Sequence, residues 1–221
     1  MATYAESEGL TFRPARPGDA AACAPLIYAS GEQEFSFFLG VPPTKSIAFL
    51  ENAFALSGGR FSWSRHEVAV DAQGQIVAVL AAHDGRRILA DDPHLVWMLL
   101  RYFGVTRAVP MLSRGLVLES ELPKPKRTQT LIAHCATRAD ARGRGVFTAL
   151  LEHAMHNGEE SGTRGLETDA REIVLDVLVS NTRASALYRR LGFVALPRRR
   201  ARSARLPTGL ESVRMRLRRA G

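Results

Sequence analysis

Hydrophobic and polar positions along the chain follow two periods in turn. Residues 10–15 (LTFRPA) have the length of a strand, and 17–30 (PGDAAACAPLIYAS) read as a helix with Pro17 near its start. Residues 30–43 read as a turn-rich connection, and a second helix over 44–57 ends at Ser57-Gly58-Gly59. The runs 66–71 and 75–83 flank Ala72-Gln73-Gly74 and predict a β-hairpin. The rhythm then breaks over 84–128, where apolar helical stretches near 93–104 and 106–117 precede Leu122-Pro123-Lys124-Pro125-Lys126-Arg127. A segment this long is uncommon as structureless loop, so two short helices are expected there. They would pack over a cleft or form a subunit contact, the latter giving a homodimer.

Regular alternation resumes with a strand over 130–137. A helix follows from 146, with Phe147, Leu150, Leu151, Ala154 and Met155 at i, i+3, i+4, i+7 and i+8 and a stop signal at Asn157-Gly158. The β-branched run 171–179 predicts another strand, and 181–190 a helix with Asn181 as N-cap and Gly192 beyond its end. Residues 192–196 and 211–218 look like closing strands. Strands and helices alternate around one hairpin, which gives an α+β class with a mixed sheet.

The chain of 221 residues suits a single domain, 46% hydrophobic and 24% charged. Its first residues, MATYAESEGL, lack the basic and apolar regions of an export signal, and the apolar run 94–105 is too short to span a bilayer. With two cysteines, Cys23 and Cys135, the simple expectation is a cytoplasmic protein with reduced thiols and no membrane association. The net charge of +8 is uneven: Arg189–Gly221 holds eleven arginines against Glu211 alone. No aromatic interleaving accompanies the run 198–205 (RRRARSAR), so a solvated basic face is expected rather than a specific nucleic-acid site.

The informative stretch is 138–154, RADARGRGVFTALLEHA. Gly143 and Gly145 fall on a strand-to-helix turn, ahead of the free amides of a helix start. That combination of unsatisfied N–H groups, positive dipole end and uncovered backbone suits an anion.

Arg142-Gly143-Arg144-Gly145-Val146-Phe147 meets the first four positions of Q/R-x-x-G-x-G/A, the pyrophosphate loop of the GNAT superfamily of acyl-CoA-dependent N-acyltransferases. Asn181, Ala184, Leu187, Tyr188, Gly192 and Phe193 stand at the spacing of that family's second signature. The chain therefore resembles GNAT enzymes, closely over 129–195 and as a pattern of elements over 10–83. The resemblance implies a mixed, mostly antiparallel central sheet flanked by helices, with 84–128 as a helical insertion between the third and fourth strands. One domain would span 1–221, closed by arginine-rich strands over 195–221.

The resemblance also implies acetyl-CoA as co-substrate and an amine as acceptor, joined through a direct ternary complex. The pantetheine arm would pair with Cys135, Ala136 and Thr137. The pyrophosphate would rest on the amides of Gly143, Arg144, Gly145, Val146, Phe147 and Thr148, neutralised by Arg142 or Arg144, with Asn181 and Tyr188 completing the cofactor side. Phe147 departs from the family's Gly or Ala; its ring should turn into the core and leave its N–H available. Tyr188 is the candidate general acid for the departing thiolate, against a purely structural role on an amphipathic helix. For the base, Glu119 and Glu121 precede the fourth strand and could turn into the cleft, with Glu121 the catalytic candidate. Glu32 and Glu34 lie where such folds receive the acceptor, though each could equally be a solvated acid. Strict alternation along 130–137 turns His134 away from Leu131 and Ala133, so it is expected to be structural. His153 and His156 lack the partners of a metal site. An alternative function is a non-catalytic acyl-CoA sensor of the same fold.

Overall fold

The computed structural model describes residues 9–88, 91–156, 172–197 and 203–218. Seven strands, β1 (Thr11–Pro14), β2 (His66–Val70), β3 (Ile76–Asp84), β4 (Gln129–Thr137), β5 (Glu172–Leu178), β6 (Phe193–Ala195) and β7 (Ser212–Leu217), form one sheet in the order β1-β2-β3-β4-β5-β7-β6. Only β4 and β5 run parallel; the other neighbours are antiparallel. Helices α1 (Ala20–Ser30), α2 (Glu32–Leu39), α3 (Pro43–Ala55), α4 (Asp91–Phe103) and α5 (Val105–Glu119) precede β4; α6 (Val146–His156) and α7 (Thr182–Arg190) follow it. This is the expected α+β architecture, with α4 and α5 as the helical insertion between β3 and β4.

Alternation along the strands feeds two cores. Val68, Val79 and Ala136 pack with α1 to α5, around Ile27, Phe49, Leu50 and Phe54. Ala78, Leu80, Ile132, Leu175 and Met215 pack on the other face, against Leu150 and Leu151 of α6 and Tyr188 of α7. The stretch 30–43 differs from the sequence expectation, because α2 occupies most of it. Phe35, Phe38 and Leu39 are buried at i, i+3 and i+4, Glu32 and Glu34 favour the first turn, and Gly40 ends the helix at φ +61°. Eight residues between flanking glycines and prolines are too few for the period to stand out. The helix stop at Asn157-Gly158, and residues 198–202 of the arginine run, lie outside the described residues. Two tail arginines serve the sheet: Arg214 pairs with Asp176 at 2.7 Å and Arg216 with Glu172 at 2.9 Å.

The insertion is anchored to α2. Arg114 of α5 donates from Nε to the Phe38 carbonyl (3.0 Å) and from Nη2 to that of Leu39 (2.9 Å). These carbonyls lie in the last turn of α2, where a cation also meets the negative end of the helix dipole.

Two irregularities in β4 shape everything downstream. Its pairing with β5 runs from Gln129–Glu172 to Ile132–Leu175 and then stops, so Ala133–Thr137 have no partner on that side among the described residues. Meanwhile β5 continues along β7 as far as Leu178. On the opposite edge, Val79 pairs with Ala136 but Ala81 with Ala133, leaving Leu80 to face two β4 residues. His134 sits in this bulge at φ +53°, the only non-glycine with positive φ among the described residues. A side chain held there costs on the order of 1–3 kcal/mol. The bulge also corrects the sequence reading of His134. Its extra residue resets the alternation, and the imidazole shares the face of Leu131 and Ala133.

His134 meets two other histidines there. Its ring lies nearly coplanar beside His66, centroids 5.2 Å apart, and meets His83 edge-on at 5.6 Å. His66 and His83 are buried, and burial lowers the His66 imidazole to about 4. Burial, followed by the cost of placing a positive charge beside the other imidazoles and nearby arginines, lowers His83 and His134 well below the ordinary 6.5. An imidazole whose pKa is depressed by folding binds fewer protons than its unfolded counterpart once pH falls below 6.5. Stability is then lost at about 1.4 kcal/mol per pH unit for each such group. Urea titrations should therefore show a falling unfolding free energy from pH 6.5 towards pH 4. The carboxylates held low by ion pairs, Asp19, Asp92 and Glu172, add to the loss only from about pH 5.5 downwards, so the slope between pH 6.5 and 5.5 belongs to the imidazoles. A stability that is flat or rising between pH 6.5 and 4.5 would show that the three rings are not held neutral.

Candidate active site

The turn after β4 leads its glycines into α6. Gly143 and Gly145 both stand at φ +80°, with no atom within 4 Å of where a Cβ would project. The first backbone bond of α6 runs from the Ala149 amide to the Gly145 carbonyl at 3.0 Å. The amides of Val146, Phe147 and Thr148 therefore have no acceptor within the helix. Arg142 donates from Nε to the Thr137 carbonyl at 3.0 Å, and its exposed guanidinium stands at the rim of the turn. Arg144 is exposed as well, but it is not part of the cavity wall.

Beside this turn lies a cavity of about 670 Å³. Cys135, Ala136 and Thr137 of β4 form one wall, Gly143, Gly145, Val146, Phe147 and Thr148 one end, and Asn181, Ala184, Leu187 and Tyr188 the other wall. It exists because β4 and β5 part after Ile132: an unpaired strand edge is left facing α7. The free edge can accept an extended chain as a further strand, and the amides beyond it can hold a diphosphate. The donor set and the open space around both glycines fit a coenzyme A thioester.

Asn181 caps α7 by accepting from the Ala184 amide at 3.1 Å, which fixes the start of the helix that carries Tyr188. The Tyr188 ring is wedged between Phe147 (6.2 Å, edge-on) and Phe193 (5.9 Å, edge-on). The Phe147 side chain is buried in that core, as its apolar stripe requires. Burial raises the Tyr188 phenol well above its ordinary value, so it keeps its proton at neutral pH. Burial likewise pushes the Cys135 thiol up to about 12, despite its hydrogen bond with Tyr188. A protonated phenol thus sits beside the free edge of β4.

A second cavity, of about 270 Å³, opens on the other side of the β4 bulge. Ser30, at the end of α1, lines both cavities and joins them. Within the second, His134 is held by a directional relay. His66 Nδ1 lies 2.7 Å from the Ser62 carbonyl, which can only accept, so the Nδ1 proton is donated to it. His66 Nε2 must then accept, and His134 Nδ1 donates to it at 3.0 Å. The remaining nitrogen of His134, Nε2, keeps its lone pair.

The acids divide sharply. Glu34 lines this cavity, and its Oε2 is buried without a hydrogen-bond partner among the described residues. Glu119 also lines it but is neutralised by Lys124 (3.3 Å) and Arg60 (3.7 Å). Glu121 is not brought to either cavity; its Oε1 accepts from the Ser212 amide at 2.6 Å and ties the insertion to β7. Glu32 is exposed on α2. Sequence reasoning gave His66 and His83 no role. Their shared parity on the hairpin strands was visible, but the bulge that brings His134 to them was not. Among the described residues no group of His, Cys, Asp and Glu is arranged to hold a metal ion, and no helix is long and apolar enough to cross a membrane.

Comparisons with known proteins agree with this geometry. The chain resembles an N-acetyltransferase from Staphylococcus aureus Mu50, with 18% identity, TM-score 0.67, and coverage of 94% of this chain and 98% of the other. An acetyltransferase structure at 16% identity has TM-score 0.63 over 94% and 98% of the two chains. An acetyltransferase from Thermus thermophilus, also 16% identical, has TM-score 0.50 over 94% and 95%. A search of curated proteins finds no match. The model of the acetyltransferase (GNAT) family matches residues 43–193, and the chain belongs to that family.

Proposed function

We propose that this protein transfers an acetyl group from acetyl-CoA to a primary amine in a direct ternary complex. The observation that carries the reading is the junction of the two cavities at Ser30 and the β4 bulge. On one side stand the free strand edge, the glycine-turn amides and the Tyr188 phenol; on the other stands a separately lined pocket with His134. Acetyl-CoA supplies an activated thioester. The β4 edge and the amides of 143–148 would hold it extended, with Arg142 offsetting charge. His134 Nε2 would take the proton that becomes acidic when the amine nitrogen commits its lone pair. For that task a low pKa is no obstacle, because the ring must be unprotonated beforehand. Tyr188, kept protonated by burial, would give its proton to the departing sulfur. A non-catalytic sensor would have no use for a second, separately lined cavity with a proton acceptor in it, which favours the enzyme.

Two substitutions test the reading. Gly145→Glu places a carboxylate and a Cβ at φ +80° where the diphosphate would lie. The affinity for acetyl-CoA, measured by titration calorimetry, should fall by at least about 2 kcal/mol through lost charge-assisted hydrogen bonds and added repulsion. A folded variant that binds acetyl-CoA like the wild type would refute the loop assignment. Tyr188→Phe keeps the ring against Phe147 and Phe193, so acetyl-CoA affinity should change by less than about 1 kcal/mol while kcat falls on the order of 100-fold. Acyl donors with more acidic thiols should lose less, since they need less help to leave. Unchanged turnover would reduce the phenol to a packing role.

A further inference from the structure

Resting on the acyltransfer reading, the acceptor cavity carries information about which amine it takes. Its walls are aromatic and aliphatic: Phe35, Phe38 and Phe61 on one side, Leu95, Leu118 and Leu122 from the insertion on the other. At about 270 Å³ it lies just below the usual range of small-molecule pockets, roughly 300–1,000 Å³. A long substrate would have to leave part of its length outside it.

The charges around the cavity are nearly all spoken for. Asp176 receives both arms of Arg214, at 2.9 and 2.7 Å. Arg60 is paired with Asp92, and Lys124 bridges Asp92 and Glu119. Glu34 is the exception. Loss of water raises its carboxyl above the ordinary value, and its buried Oε2 meets no donor among the described residues. A buried carboxylate oxygen without a partner is costly, and a cation brought into hydrogen-bond range would relieve that cost.

Position adds direction. The Glu34 Oε2 lies 3.3 Å from where a Cβ on Gly31 would stand, next to Ser30 at the junction of the two cavities. A cationic head drawn there would reach the mouth of the thioester cleft, with its apolar body running towards α4 and α5. We infer that the acceptor is a compact primary amine with an apolar body, whose ammonium head is received by Glu34 and passes one proton to its carboxylate before the nitrogen attacks, and whose body fills the pocket between α2 and the insertion.

The test uses 2-phenylethylamine as the compact apolar probe, with spermidine and a lysine-containing tetrapeptide as polar and extended comparators. Binding is measured by calorimetry without acyl donor, and kcat/KM with acetyl-CoA. Glu34→Gln keeps the shape and removes the charge. We expect 2-phenylethylamine to bind the wild type and to exceed both comparators at least tenfold in kcat/KM. Glu34→Gln should weaken its binding at least tenfold while leaving the affinity for acetyl-CoA, and the weak binding of neutral 2-phenylethanol, within twofold. Should Glu34→Gln unfold, Leu118→Arg, which puts a cation into the apolar wall, should exclude 2-phenylethylamine and spare acetyl-CoA. The inference is overturned if 2-phenylethylamine does not bind, if either comparator is preferred, or if binding is indifferent to both substitutions. Glu34-dependent binding of 2-phenylethylamine without transfer from acetyl-CoA would uphold the inference about the pocket and refute the acyltransfer reading instead.

Discussion

The separation of β4 from β5 after Ile132 is the constraint on which the rest of this structure depends. A parallel pair that stayed joined would satisfy the backbone of Ala133–Thr137 and close the sheet. Here β5 is instead held on its far side by β7, through the register from Val174–Arg216 to Leu178–Ser212 and the Asp176–Arg214 pair. The free edge of β4 is thus a stable feature of the sheet and not a frayed end. It faces α7, which Asn181 caps and which Tyr188 locks into the core.

The bulge at His134 is the complementary device on the other edge. It puts a non-glycine residue at φ +53°, and the hydrogen bond to the His66 ring and the relay to the Ser62 carbonyl hold it there. Strain at such a position is tolerated only where the surroundings over-determine it. The consequence is a division of labour along one strand: Cys135–Thr137 face the cleft beside the glycine turn, while Ala133 and His134 face the apolar pocket. The insertion completes that pocket, anchored by Arg114 to the last carbonyls of α2 and by Glu121 to β7.

Much of this was legible in the sequence, and the reasons differ from element to element. The α6 stripe from Phe147 to Met155 and the Asn181 cap are local signals, readable within a dozen residues. The glycine pair pointed to uncovered helix-start amides, because that chemistry lies in the backbone. The alternation that turned His134 away failed at one inserted residue, and nothing in Thr130–Thr137 marks where a strand will bulge. Glu121 could be placed near β4 by its number alone; that it would serve Ser212 depended on the position of β7. Glu34 was visible as an acid, but its lack of a partner is a property of the packed helices α2 and α5, which no local pattern encodes.

The separation of the two strands can be tested directly by a crystal structure of the protein with coenzyme A. This arrangement predicts the pantetheine arm paired with Cys135–Thr137, as an extra strand in the gap beside β4. The diphosphate should lie within hydrogen-bond range of the amides of 143–148, and the thiol should point at Tyr188. A structure in which β5 closes onto Ala133–Thr137, or in which the diphosphate binds away from Gly143 and Gly145, would contradict it.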